Sequence, residues 1–143
     1  MFRDHPKAQL ILFARAAANL VASDHSVTHE ERLELDNVVE GIGLKPNDDD
    51  VLAAIEEELK APGDLTAIVK GIEGRELRVA LLRMLTELSA TDGHVAATEK
   101  AKVAEAAKAF GIDVAVAEEL FAWTLDSIAL EKREEELMAK LLG

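Results

Sequence analysis

Apolar side chains recur along this chain at intervals of three and four residues, the period of a helix packed on one side. Leu10, Phe13, Ala14, Ala17, Leu20 and Val21 form the first stripe, and Pro6 suits its opening turn, so a helix is expected over residues 6–22. Thr28 and Glu31 stand at capping-box spacing ahead of a second stripe, Leu35, Val38, Val39 and Ile42, which Gly41, Gly43 and Pro46 bring to a close. Asn47 and the acids Asp48 to Asp50 suit the start of a third helix carrying Val51, Leu52, Ile55 and Leu59, and Pro62-Gly63 stops it. A short fourth helix follows Asp64 and ends near Gly71. Residues 73–90 place Leu77, Leu81, Met84, Leu85 and Leu88 on one face and predict a fifth. Three more are expected over residues 97–110, 113–125 and 129–142.

The pattern also repeats. Displacing the sequence by 68 residues brings Asp24 onto Asp92, Val27 onto Val95, Glu31 onto Glu99, Gly43 onto Gly111 and Leu44 onto Ile112, without gaps. The apolar stripes keep the same register: Phe13, Ala17 and Leu20 fall on Leu81, Leu85 and Leu88, and Leu35, Val38, Val39 and Ile42 fall on Val103, Ala106, Ala107 and Phe110. Ile55 falls on Trp123, which with Leu120 on its face is read as core. A register shared across three helices predicts two similar three-helix units packed as one body, over residues 6–62 and 74–130, with a last helix reaching residue 142. Two units are too few for a long solenoid.

Composition narrows the fold to one class. Alanine is abundant, aromatic residues make up only 3%, and runs of β-branched residues are absent. The expectation is an all-α fold: a compact single-domain bundle of about seven to eight helices spanning residues 1–143, with an internal pseudo-two-fold repeat. At 143 residues the chain can bury a sizeable core without a staple. It has no cysteine, which excludes disulfides, thiolate metal sites and a cysteine nucleophile. No stretch reaches the roughly 20 apolar residues of a membrane span. A cytoplasmic protein is expected.

Charge selects among partners. The formal net charge is −12, against the clustered lysine and arginine that phosphate contacts need, so no nucleic-acid partner is expected. Basic surfaces and cations are the natural complements. The acid is concentrated over residues 28–58, where eleven Asp and Glu face only Arg32 and Lys45; this reads as a solvated outer face of the second and third helices, or as a docking face for a basic partner. Arg75, Arg78 and Arg83 form the largest basic cluster, with no aromatic residue interleaved in sequence.

Chemistry concentrates at the two helix junctions. Each places an Asp just after one helix, Asp24 or Asp92, and a Glu in the first turn of the next, Glu31 or Glu99. These are turn and capping residues in their own right, with Gly93 supplying a permissive turn position. They are also the candidate metal ligands, since an approximate two-fold would gather four carboxylates, the hard oxygen donors that calcium and magnesium prefer. The donor spacing is not that of an EF-hand loop. His25, His29 and His94 lie at the same junctions, but they lack a fixed four-ligand zinc spacing, so calcium or magnesium is favoured over zinc. No phosphate loop, serine elbow or nucleophile with an assignable base is present, and a non-enzymatic role is expected.

These junctions resemble the acidic-turn motif of the TerB-like tellurite-resistance family. The resemblance rests on residues 20–44 and 88–112, set against the family's pattern of a small-residue helix end, Asp-Gly, a polar residue, Val or Ile, a Ser/Thr-Pro-Glu-Glu helix start and a Leu-Gly-Leu-like close; Thr98 stands where the first Glu of that pair would be. It extends over about residues 6–125. His25 stands where glycine is usual, and His29 and Ala97 where proline is usual. The resemblance implies a compact helical domain with internal pseudo-symmetry, and Asp24, Glu31, Asp92 and Glu99 as metal-binding acids. It also implies work in a tellurite-resistance or stress-response system; the partner expected for so acidic a chain is a protein, basic or membrane-associated. The alternative is a metal-independent interaction domain that docks a basic partner through its second and third helices.

Overall fold

The computed structural model describes residues 5–22, 27–90 and 97–143, and within them every regular element is a helix. In chain order these are α1 (Lys7–Val21), α2 (His29–Gly41), α3 (Asp49–Lys60), α4 (Leu65–Lys70), α5 (Arg75–Ser89), α6 (Ala97–Ala109) and α7 (Val114–Leu142). The displacement of 68 residues carries both ends of α1 onto those of α5, and both ends of α2 onto those of α6.

The repeat extends to the way helices stop. Gly43 and Gly111 adopt φ of +89° and +75°, a left-handed conformation that side chains disfavour and glycine accepts. With that turn made, Leu44 N–H reaches the Val39 carbonyl at 3.1 Å and Ile112 N–H the Ala107 carbonyl at 2.8 Å. Gly43 and Gly111 donate to Glu40 and Lys108, both at 3.0 Å. Each is a Schellman closure, which satisfies carbonyls left over at a helix end. Leu44 and Ile112 are turned back against the main core.

α1 is the central helix, buried nearly all round because its alanines let neighbours approach on two sides. One cluster joins Phe13, Ala16 and Leu20 to Val69 of α4, Leu81 and Leu85 of α5, Val103 of α6 and Phe121 of α7. A second joins Ala14, Ala17 and Ala18 to Leu35 and Val39 of α2 and Val51 and Ile55 of α3. α4 packs against both α1 and α6, so the connection between the units is itself part of the core.

Two expectations change. The two final helices are one: α7 runs unbroken to Leu142, because residues 126–128, Asp-Ser-Ile, hold neither a glycine nor a proline to end it. Trp123 is not core. Ile55 is fully buried, whereas Trp123 is 49% exposed and lies under the Arg83 guanidinium, 5.1 Å from the ring centroid. The helical period placed Trp123 on the face of Leu120 without showing whether another helix covers it.

Candidate functional site

The start of α2 is built by reciprocal hydrogen bonds. Thr28 Oγ1 accepts from Glu31 N–H at 3.1 Å, and Glu31 Oε1 accepts from Thr28 N–H at 3.2 Å. This capping box fixes the Glu31 carboxylate at the third position of the helix, where the N-terminal end of the dipole favours negative charge. Glu99 occupies the third position of α6, the equivalent site in the second unit. Both carboxylates are half-buried at the surface. Asp24 and Asp92, with His25 and His94, lie outside the described residues. His29 is the first residue of α2 and is exposed. Among the described residues, no three or more His, Asp or Glu side chains group as metal ligands.

The helices flanking each junction pack on one another, α1 on α2 and α5 on α6, and the two units meet through α1 and α5. Leu20, near the end of α1, shares a core cluster with Val103 of α6, while Leu88, near the end of α5, packs on the cluster containing Leu35 of α2.

A buried polar network links α1 to α3 and to α6. Asn19 is fully buried, and its Nδ2 donates to Glu58 Oε2 and to the Gly63 carbonyl, both at 2.8 Å. Its Oδ1 accepts from Lys102 Nζ at 2.9 Å, one turn beyond Glu99 on α6. Gly63 N–H donates to Glu58 Oε2 at 2.7 Å, and Arg15 Nη1 lies 3.6 Å from Glu58 Oε1. The buried carboxylate is thus surrounded by donors and a cation, the condition under which a buried charge is tolerated. The signal for this network was the interruption of the apolar run by Arg15 and Asn19. Its partners are far away in sequence.

The acidic face is partly neutralised by α1. Lys7 lies 3.2 Å from Asp48 and 3.3 Å from Asp50, and Arg15 lies 3.3 Å from Glu57. Its hydrogen bond with Asp48 raises the Lys7 amine above the ordinary lysine value, and the same bond holds the Asp48 carboxyl below the ordinary aspartate value. Arg32 spans Glu56 at 2.8 Å and Asp36 at 3.5 Å. Glu58, counted from sequence with the solvated face, is buried instead. Glu30, Glu34 and Glu40 carry no ion pair among the described residues. In the basic cluster, aromatic partners absent from the local sequence come from other helices: Arg78 lies over Phe110 at 5.5 Å, and Arg83 over Trp123.

The helix arrangement, the paired Schellman closures and the equivalent glutamates describe one architecture used twice. A family described as "Tellurite resistance protein TerB" matches residues 9–120. The chain belongs to the TerB family. No curated protein and no solved structure matches it. The TerB match ends inside α7, so the outer half of that helix lies beyond the matched region. No helix among the described residues of this TerB protein is long and apolar enough to cross a membrane.

Proposed function

We propose that this TerB domain is a non-enzymatic module that binds a divalent cation, calcium or magnesium before zinc, through Asp24, Glu31, Asp92 and Glu99. The observation that carries the reading is the recurrence of Glu31 and Glu99 at the same helical position in two units whose helices begin and end in register. One contact between the units supports it: Lys102, one turn from Glu99, donates to Asn19 near the end of α1. Four carboxylates brought together would supply hard oxygen donors for such an ion. Metal binding would couple the two turns and present a charge-altered surface to a protein partner, in the cytoplasm, within a tellurite-resistance or stress-response system.

Calorimetric titration with calcium, magnesium, manganese and zinc tests the reading. Saturable binding is expected in the native chain and at least about tenfold weaker binding in Asp24→Asn/Asp92→Asn. Glu31→Gln separates ligand from cap: glutamine keeps the capping box, so folding stability stays close to native while affinity falls. Absence of binding at millimolar metal, or native affinity in the double variant, removes the metal from the account. A second reading is favoured by Glu30, Glu34 and Glu40, three acids of α2 that carry no ion pair among the described residues: α2 and α3 then dock a basic protein surface without metal. Reversing these three charges weakens capture of that partner under the second reading and leaves cation binding intact under the first.

A further inference from the structure

The outer face of α7 carries an apolar stripe along its whole length, exposed apart from the Arg83 guanidinium that stacks on Trp123. Val116, Trp123, Leu130 and Leu137 follow one another at seven-residue intervals, Leu141 continues the line, and all five are 49% to 69% exposed. They point away from Phe121 and Ala117, which face the body of the domain. Beyond Ala129 every residue of the helix is exposed. A helical segment of that length standing alone in water is marginal, and a heptad stripe is the seam by which one helix packs on another.

The charges beside the stripe say which helix. Glu119, Asp126, Arg133 and Lys140 run along one flank, also at seven-residue intervals, acidic in the half near the body and basic in the outer half. A second α7 laid antiparallel reverses that order. Glu119 then faces Lys140 of the second copy and Asp126 faces Arg133, each pair formed twice about the two-fold axis. That register centres the two-fold axis between Ala129 and Leu130, so the Leu130 side chains of the two copies meet across it, and it sets Leu137 opposite Ala122, beside Trp123. A parallel arrangement instead brings Asp126 toward Glu131, acid against acid.

The body also provides a seat. A shallow groove of about 800 Å³ on α5, lined by Val79, Ala80 and Met84, borders Arg83, the residue that stacks on Trp123. The groove and the stripe therefore meet, beside the place where the outer half of the second helix would lie. We infer that this chain forms an antiparallel homodimer through α7, with the outer half of each helix covering Trp123 and the α5 groove of the other copy.

Sedimentation equilibrium of the full chain tests this, with a dimer expected for the native protein. Leu130→Glu/Leu137→Glu is expected to be a monomer whose thermal unfolding stays cooperative, as the substituted side chains lie outside the core. Arg133→Glu/Lys140→Glu should weaken dimerisation at least about tenfold, and adding Glu119→Lys/Asp126→Lys should restore it. Orientation is read by cross-linking, which the absence of native cysteine makes clean. In Glu119→Cys/Lys140→Cys the two thiols of one chain are about 31 Å apart along the helix, so a short bismaleimide can join them only between copies. Lys140→Cys alone should give no cross-link. A monomeric native chain, a dimer that survives Leu130→Glu/Leu137→Glu, charge reversal without rescue, or a cross-linked Lys140→Cys each overturns the inference.

Discussion

The two halves of this domain share helix boundaries and closing turns, but they use their third helices differently. In the first unit α3 is short, stopped by Pro62-Gly63, and packed against α1 with Ile55 fully buried and Glu58 drawn into the Asn19 network. In the second, α7 meets no such stop. Its Trp123 and Asp126, the counterparts of Ile55 and Glu58, lie at the surface. Arg15 and Arg83 are counterparts too: one turns inward to the buried Glu58, the other pairs with Glu87 at 3.1 Å and covers a Trp. The comparison teaches that a duplicated helix pattern fixes where helices run, while a few side chains decide whether a helix closes the core or remains open for docking.

The strongest way to break this contrast is to truncate the counterpart residues. Ile55→Ala should destabilise the fold by about 2–5 kcal/mol, whereas Trp123→Ala should cost less than about 1 kcal/mol. Urea denaturation in the monomeric Leu130→Glu/Leu137→Glu background measures both without a contribution from association. Equal losses at the two sites would contradict the assigned division. The polar counterparts come next. Glu58→Ala leaves the Asn19 amide and Gly63 N–H short of an acceptor, at about 1–3 kcal/mol for each orphaned donor, while Asp126→Ala should stay within about 0.5 kcal/mol.

The smallest effect belongs to the exposed charges that tie α1 to α3. Asp48 has its pKa depressed, so its contribution is complete above the ordinary aspartate value and fades as pH falls through the lowered one. Lys7 has its pKa raised, so its contribution is complete below the ordinary lysine value and is lost as pH rises through the raised one. The pair is solvent-exposed, so little stability rides on it. The clearer readout is Lys7→Met, in which the carboxyl resonance of Asp48 should titrate closer to the ordinary aspartate value.

Much of this fold was legible in the sequence because its cues are local. Stripes at three- and four-residue spacing, the Thr28–Glu31 box and the glycines at 43 and 111 each act within a few residues, and the displacement of 68 joined them into two units. The fate of Trp123 was not legible, since periodicity places a side chain on a face without saying whether another helix covers that face. Nor was the burial of Glu58, whose donors come from α1 and from the loop after α3. Of the candidate site, the sequence located Glu31 and Glu99 at helix starts, and the structure places them at equivalent positions; Asp24 and Asp92 lie outside the described residues.

The central claim is that the two acidic turns act as one cation site. Paramagnetic broadening by manganese in an amide-proton NMR titration tests it most directly. The account predicts that amides at the starts of α2 and α6, around Glu31 and Glu99, broaden together at the same low metal-to-protein ratio. Broadening confined to one turn, or to the exposed acids of α2 and α3, would contradict it.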